Sequence, residues 1–488
     1  MLHRTPSQPP PSAVATPVEE EDFLSPATLS SLDEYAANPR FLELQDELRS
    51  VLFTQAASLA PTPQSSRAPS PVAFAESQPE NAPPAAGQGL DISLVALPPA
   101  QTLIYLKNWL TDCAPFLDKF DTCRTFGVLV PLLARSSPAL LYAILAFSAR
   151  HLERKHKLHS HDSLELYQES IRQLAPILQA KDPNVLMTVC ILACLELMSA
   201  SPRDWRRHVD GCASLFQSFG VNGLSGGPLQ AVFWCYARMD LIGAIMSNGT
   251  ESLVLPISAW VPSDVSAADV NFYETTVGAL FHAQARENPD MHANWAVYLC
   301  ARTCDLAARR TRTLEVGAPD PDPRPFAVQW RALWEDLGTW AAARGEGMLP
   351  IAGGGAQLFP EILFAHWPAI SGNQMYHTAC IMMLEIAPSM SFAVTASAAM
   401  AGPQTSAIWH ARRIIGISLT NPHSGCLINA IQPLFVAGRL LSHRSEHVVV
   451  AKLFWRIERL TAWGAIWRLR ELERVWGYEG GEIVAGAQ

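Results

Sequence analysis

From about residue 100 onward, apolar residues recur at the three- and four-residue spacing of buried helix faces. In 138–152, PALLYAILAFSARHL, a proline stands at a natural first helical position, and the rest of the segment is apolar on nearly all sides. In 164–178, Leu164, Tyr167, Ile171, Leu174 and Leu178 share one stripe. Pro176 predicts an end or kink near Ala175, because proline removes a backbone donor and collides with the preceding turn. VLMTVCILACLELM, 185–198, is almost wholly apolar and predicts a central buried helix. In 201–219, SPRDWRRHVDGCASLFQSF, Ser201 is a natural N-cap, Pro202 suits the first helical position and Asp204 supplies the acid of the first turn. Trp205, Val209, Cys212, Phe216 and Phe219 then mark one continuous face. Gly211 in that helix costs about 1 kcal/mol against alanine, which implies a close approach by a second helix. Residues 229–247 predict another strongly apolar helix, loops rich in proline and glycine cover 316–326 and 345–356, and further helices run to 476. Strand alternation is nowhere sustained and no fixed repeat recurs. The fold class is all-α.

The first hundred residues change the picture. They hold 16 of the 37 prolines, none of the 14 tryptophans, and four arginines without a lysine against twelve acidic residues. A segment of this kind cannot bury enough surface to offset its ordering entropy. The expectation is a largely disordered acidic segment over 1–99, with one helix near 27–58 where Leu44, Leu48 and Leu52 recur in FLELQDELRSVLF. A large helical domain over 100–478 and a flexible tail over 479–488 complete the organisation. Residues 101–488 are nearly neutral, with 32 basic and 33 acidic side chains. That balance argues against direct nucleic-acid contact, which needs a basic surface. MLHRTPSQPP has no apolar core of a secretory signal. Two uncharged stretches, 362–384 and 386–411, contain prolines and polar residues and read as buried helix and loop rather than membrane spans.

Candidate chemistry is sparse. The ten cysteines lie mostly in apolar stretches and read as free thiols in a reducing compartment. Cys190 and Cys194, and Cys300 and Cys304, are spaced to share a helix face, but no C-x2-C occurs, and the reading is buried structural thiols with no metal. HLERKHKLHSH, 151–161, reads as a solvated helix end whose Arg150, Arg154, Lys155 and Lys157 also match a short basic import signal. Asp204, His208 and Asp210 are accompanied by no nucleophile motif and no phosphate loop, so no enzyme is expected. Arg238 and Asp240 interrupt an apolar helix two residues apart. They cannot pair with each other, and each reaches a partner on a neighbouring helix, as a satisfied core group or as a polar latch.

Taken in order, several segments resemble the fungal-specific transcription factor domain, the regulatory region C-terminal to the DNA-binding part of fungal binuclear zinc cluster regulators. They are VPLLARSSPALLYAILAFSARHL, LELYQESIRQLAPIL with NVLMTVCILACLELM, DWRRHVDGCASLF, FWCYARMDLIGAI and NPHSGCLINAIQPLFVAGRLLSH. DWRRHVDGCASLF is similar to the family's Trp-x-x-His-hydrophobic-x-Gly helix. LTAWGAIWRLRELERVW resembles its closing tryptophan-rich signature, where the family commonly has a glycine at the place of Ala462.

The resemblance implies a nuclear transcriptional regulator. Trp205, His208, Gly211, Arg238 and Asp240 are then signature positions. The closing tryptophans are then first core and interface packing of the terminal helices; second, Trp463 and Trp467, one turn apart if the helix continues through Gly464, are the candidate wall of a ligand or partner surface. The implied partners are transcriptional coactivators or a DNA-binding partner protein, a small-molecule inducer, and a second copy of the chain in a homodimer. The acidic segment with FLELQDELRSVLF is expected to contact coactivators by folding on binding. Family members also carry six N-terminal cysteines, in a C-x2-C-x6-C pattern repeated once, that hold two zincs. No cysteine precedes Cys113, so this chain is expected to lack its own zinc-cluster DNA reader and any cofactor, zinc entering only with a cysteine cluster upstream. The rival reading is a helical binding or sequestering protein that docks a partner or small ligand without transcriptional output.

Overall fold

A computed structural model describes residues 38–59, 97–158, 160–180, 182–199, 205–247, 249–262, 270–355, 358–388, 403–479 and 481–483. The helices of eight or more residues are α1 Pro39–Leu59, α2 Pro99–Asn108, α3 Pro138–His156, α4 Asp162–Gln179 and α5 Asn184–Ser199. There follow α6 Trp205–Phe219, α7 Gly227–Met246, α8 Val270–Ala285, α9 Pro289–Val316 and α10 Phe326–Ala342. The last five are α11 Trp367–Glu385, α12 Ala407–Thr420, α13 Ile431–Gly438, α14 Arg444–Thr461 and α15 Ile466–Trp476. Among the described residues the strands are one short antiparallel pair, β1 Ala352–Gly354 and β2 Glu361–Leu363, with Gly353 opposite Ile362. Three-residue strands reading AGG and EIL carry no alternation, so the sequence pattern could not announce them. No described helix is long and apolar enough to cross a membrane.

Proline opens α2, α3, α7, α9 and α11 within the first two positions, where its missing N–H is one of the donors a helix start leaves unpaired. The Asn288 side chain caps α9 by accepting the Met291 amide at 3.2 Å, and Gly317 ends it in a left-handed conformation. The almost wholly apolar α5 and α7 lie in the interior. α9, buried from Met291 to Leu299, runs through the other half between α7, α8, α10 and α11. α3 packs on α4 and α5. Pro176 does not end α4, which continues to Gln179. It stands in the last turn, so its missing N–H costs one bond close to where the helix stops anyway. The expected cap of α6, Ser201 to Asp204, lies outside the described residues, as does 27–37.

α1 corrects the expected division at residue 99. Phe41, Leu44, Leu48 and Leu52 are buried in the body, each worth about 1.5–3 kcal/mol on the usual transfer scale. The Phe41 ring stands 6.0 Å from that of Tyr167, and Gln45 donates to Glu196 Oε2 at 2.9 Å while the Tyr167 hydroxyl donates to Oε1. FLELQDELRSVLF is therefore a core element, and its apolar stripe is not free to fold onto a coactivator. Its composition is averaged with that of the proline-rich residues around it, while the surfaces it covers come more than 100 residues later in the chain.

The close approach implied by Gly211 is made by α1. A Cβ at position 211 would meet Leu52 Cδ1 at 3.0 Å and Cβ at 3.1 Å. Gly211→Ala is expected to destabilise the chain through this overlap, and to cost less in a Leu52→Ala background, which removes the Cδ1 contact at 3.0 Å and keeps the Cβ contact at 3.1 Å. Urea unfolding of the four chains measures the coupling, and equal effects in both backgrounds would contradict the docking of α1.

Candidate functional site

Among the described residues a cleft lies where the tryptophan-rich closing segment meets α5, α7 and α13. α14 ends because Ala462 adopts a left-handed conformation, φ 56°, and its N–H returns to Glu458 O. The helix does not continue through Gly464, contrary to expectation. The chain turns over 462–465 and restarts as α15, whose first amides, Ala465 and Ile466, donate to Glu458 Oε2 at 2.7 and 2.9 Å. That carboxylate offsets the unpaired donors and positive end of the new helix. From α3, Arg154 Nε donates to Ala462 O at 2.6 Å. Burial draws the Arg154 guanidinium down to about 10, so it stays charged at neutral pH.

This turn sends both Trp463 and Trp467 into the one cleft, the first from within the break and the second from the first turn of α15. Trp463 packs on Phe116 with ring centroids 4.7 Å apart, and Trp467 Nε1 donates to Gly464 O at 3.2 Å. Arg468 lies over the Trp467 and Phe435 rings, 4.4 and 4.1 Å from their centroids, and donates to Gln432 Oε1 at 2.8 Å. Burial lowers its pKa. The remaining lining is Leu197, Ile242, Met246, Ile428 and Ile431, with Gln432 as the polar side chain. No lining side chain is acidic or basic. The cleft therefore offers shape and apolar surface, with no acid or base for catalysis.

Size narrows its use. The cavity measures about 50 Å³, and about 490 Å³ when its open mouth is counted. The first figure exceeds the roughly 10–15 Å³ that holds one water but falls well short of the roughly 300–1,000 Å³ of a drug-sized ligand site.

The other sequence candidates are distributed elsewhere. Arg238 donates to Leu117 O at 3.0 Å and lies over the Phe120 ring, so it braces the segment that supplies Phe116. Asp240 accepts the Val254 and Leu255 amides at 2.8 and 2.9 Å and ties a loop to α7. Gly211 serves the contact with α1, and the side chains of Trp205 and His208 lie outside the described residues. In the basic tract, Arg150 is buried beside Glu153 at 3.6 Å, Arg154 holds the Ala462 turn, and Lys155 pairs with Asp112 at 3.0 Å. Only the start of the tract, to Arg154, is bound into the fold; Lys155 to Leu158, Ser160 and His161 are exposed, as expected of a solvated helix end. All ten cysteines are free.

The sequence profile of the fungal specific transcription factor domain matches residues 104–479. The chain belongs to this family. It is 23% identical over 344 residues to the transcription activator AMTR1 of Alternaria alternata, an alignment covering 60% of this chain and 44% of that protein. It thus spans less than half the length of that curated relative. No solved structure matches. The glycine common in the family's closing signature now has a physical reason: position 462 has positive φ, which costs an L-residue with a Cβ about 1–2 kcal/mol.

Sequence reasoning also missed a buried histidine pair in this fungal-type domain. His410 Nε2 donates to Gln404 O at 2.8 Å, which leaves its Nδ1 to accept from His377 Nδ1 at 2.8 Å. Burial, then Arg413, lowers His410 to about 4; burial, then His410, holds His377 well below its ordinary value.

The turn at position 462 and the histidine pair can each be tested by substitution. Ala462→Gly raises stability by about 1 kcal/mol by relieving the left-handed strain, read as a higher Tm. An unfolded imidazole takes its proton below about 6.5 and the folded His410 only below about 4, so stability contributed by this pair falls as pH falls through that window. A His410→Asn chain is expected to lose less Tm between pH 7 and pH 4.5 than the parent; an identical loss would contradict a neutral pair.

Proposed function

We propose that this chain acts as a nuclear, fungal-type transcriptional regulator through its helical domain. Its helical domain receives an apolar anchor from a regulatory partner, a coactivator or a DNA-binding protein, in the cleft walled by Trp463 and Trp467. The observation that carries the reading is the convergence of both tryptophans, at a helix break, on a cleft with no acidic or basic wall. Family membership and a relative named as a transcription activator support the regulatory role. The near-neutral charge of 101–488 supports recruitment to DNA through another protein. The small enclosed volume favours a partner's side chain. A small-molecule inducer is the second reading, seated at the open mouth of the cleft between the apolar walls.

The test is to tether the full chain to a heterologous DNA reader in a fungal reporter strain. Activation is expected, with a strong loss in Trp463→Ala/Trp467→Ala at unchanged protein level. Truncating a central aromatic anchor typically costs 2 kcal/mol or more, roughly 30-fold in affinity. Silence of the tethered parent chain would favour the sequestering protein instead.

A further inference from the structure

Cys190 and Cys194 lie one turn apart on α5, and Cys235 faces them from α7. Their three sulfurs lie within 4.8 Å of one another. Cys194 Sγ stands 4.0 Å from Cys235 Sγ and 3.4 Å from Met239 Sδ. All three thiols are buried. A metal held by three sulfurs at about 2.3 Å in one plane sets them about 4.0 Å apart, so the cluster needs little closing to become a coordination site.

Two buried basic side chains, Lys119 and Arg238, stand beside it. Lys119 Nζ donates to Phe116 O at 3.3 Å and lies 4.0 Å above the Phe116 ring. Arg238 meets Leu117 O and the Phe120 ring. Among the described residues neither forms a salt bridge, and both act electrostatically on Cys235. Burying a positive charge without an anion is costly, and burial, then Arg238, draws the Lys119 ammonium down to about 7, so thiolates beside it would hold its proton in place. Three thiolates around a monovalent ion carry two negative charges, which these two cations neutralise. A divalent ion would leave one positive charge uncompensated.

Sulfur side chains recur along α7 from the cluster toward the cleft. Cys235, Met239, Ile242 and Met246 succeed one another at helical spacing on α7, and Cys190, Cys194 and Leu197 do so on α5. Leu197, Ile242 and Met246 line the tryptophan cleft. Thioether sulfur is thus present at the cleft, in Met246, and against the thiols, in Met239. Thiolate and thioether are soft ligands that suit Cu(I), Zn and iron–sulfur clusters, and the charge balance favours the monovalent ion of these.

We propose that Cys190, Cys194 and Cys235 form a Cu(I) site, neutralised by Lys119 and Arg238 and reached from the cleft past Met246 and Met239. Each thiol gives up one proton to solvent as its sulfur binds, and the copper enters and stays as Cu(I), so no electron is transferred. The site does not depend on the transcriptional reading.

The experiment is an anaerobic titration of the reduced full-length chain with Cu(I) against an excess of a chromophoric Cu(I) chelator. One equivalent withheld from the chelator is expected, with three sulfurs in its X-ray absorption shell. Cys194→Ala and Cys235→Ala are expected to lose that equivalent, while Cys380→Ala, which removes a buried thiol elsewhere, keeps it. Met246→Leu is expected to slow uptake and leave the stoichiometry unchanged. No withheld copper, nitrogen or oxygen ligands in the shell, equal loss in Cys380→Ala, or Zn(II) bound in place of Cu(I) would each overturn the site. Unaltered uptake in Met246→Leu would overturn the route. If the alanine variants do not fold, the absorption shell of the parent chain decides.

Discussion

Two helices with no face to give to water, α5 and α7, constrain everything else. A surface helix can leave half its circumference wet, but these must be covered on all sides. α3, α4 and α6 cover part of α5, and α9 covers α7 from the other half of the molecule. α1 completes the wrapping by laying Leu52 on Gly211 of α6. The cleft forms at the C-terminal ends of the two helices, where Leu197, Ile242 and Met246 are closed over by the turn at 462–465.

In so apolar an interior, each buried polar group must find a partner within the protein. The partners found are mostly backbone groups of irregular segments. Asp240 holds the amides of 254 and 255, Arg238 the carbonyl of 117, and Arg154 the carbonyl of 462. Glu458 holds the amides that restart the chain as α15. These bonds fix loops whose own sequences specify little, and three of them fix the walls of the cleft. The charged residues that interrupt the helices are thus positioning devices for the tryptophans and for Phe116. The cysteine cluster belongs to the same seam, with Lys119 binding the carbonyl of Phe116 and lying over its ring.

The sequence by itself determined the helical class, the course of α3 to α7, the internal placement of α5, and the family. Each rests on apolar spacing within about twenty residues, or on ordered local motifs, and the chain carries these directly. Trp463 and Trp467 are legible as a pair, though their spacing points to a helix through Gly464 where the chain in fact turns. Only tertiary structure decided that α1 is core, that Arg154 holds the turn at Ala462, and that Cys235 joins Cys190 and Cys194. It alone brought His377 to His410 and bent the closing segment at Ala462. Each of these depends on what stands opposite a residue across the packed interior. Helical period and local composition tell which face is apolar and leave open which distant element meets it.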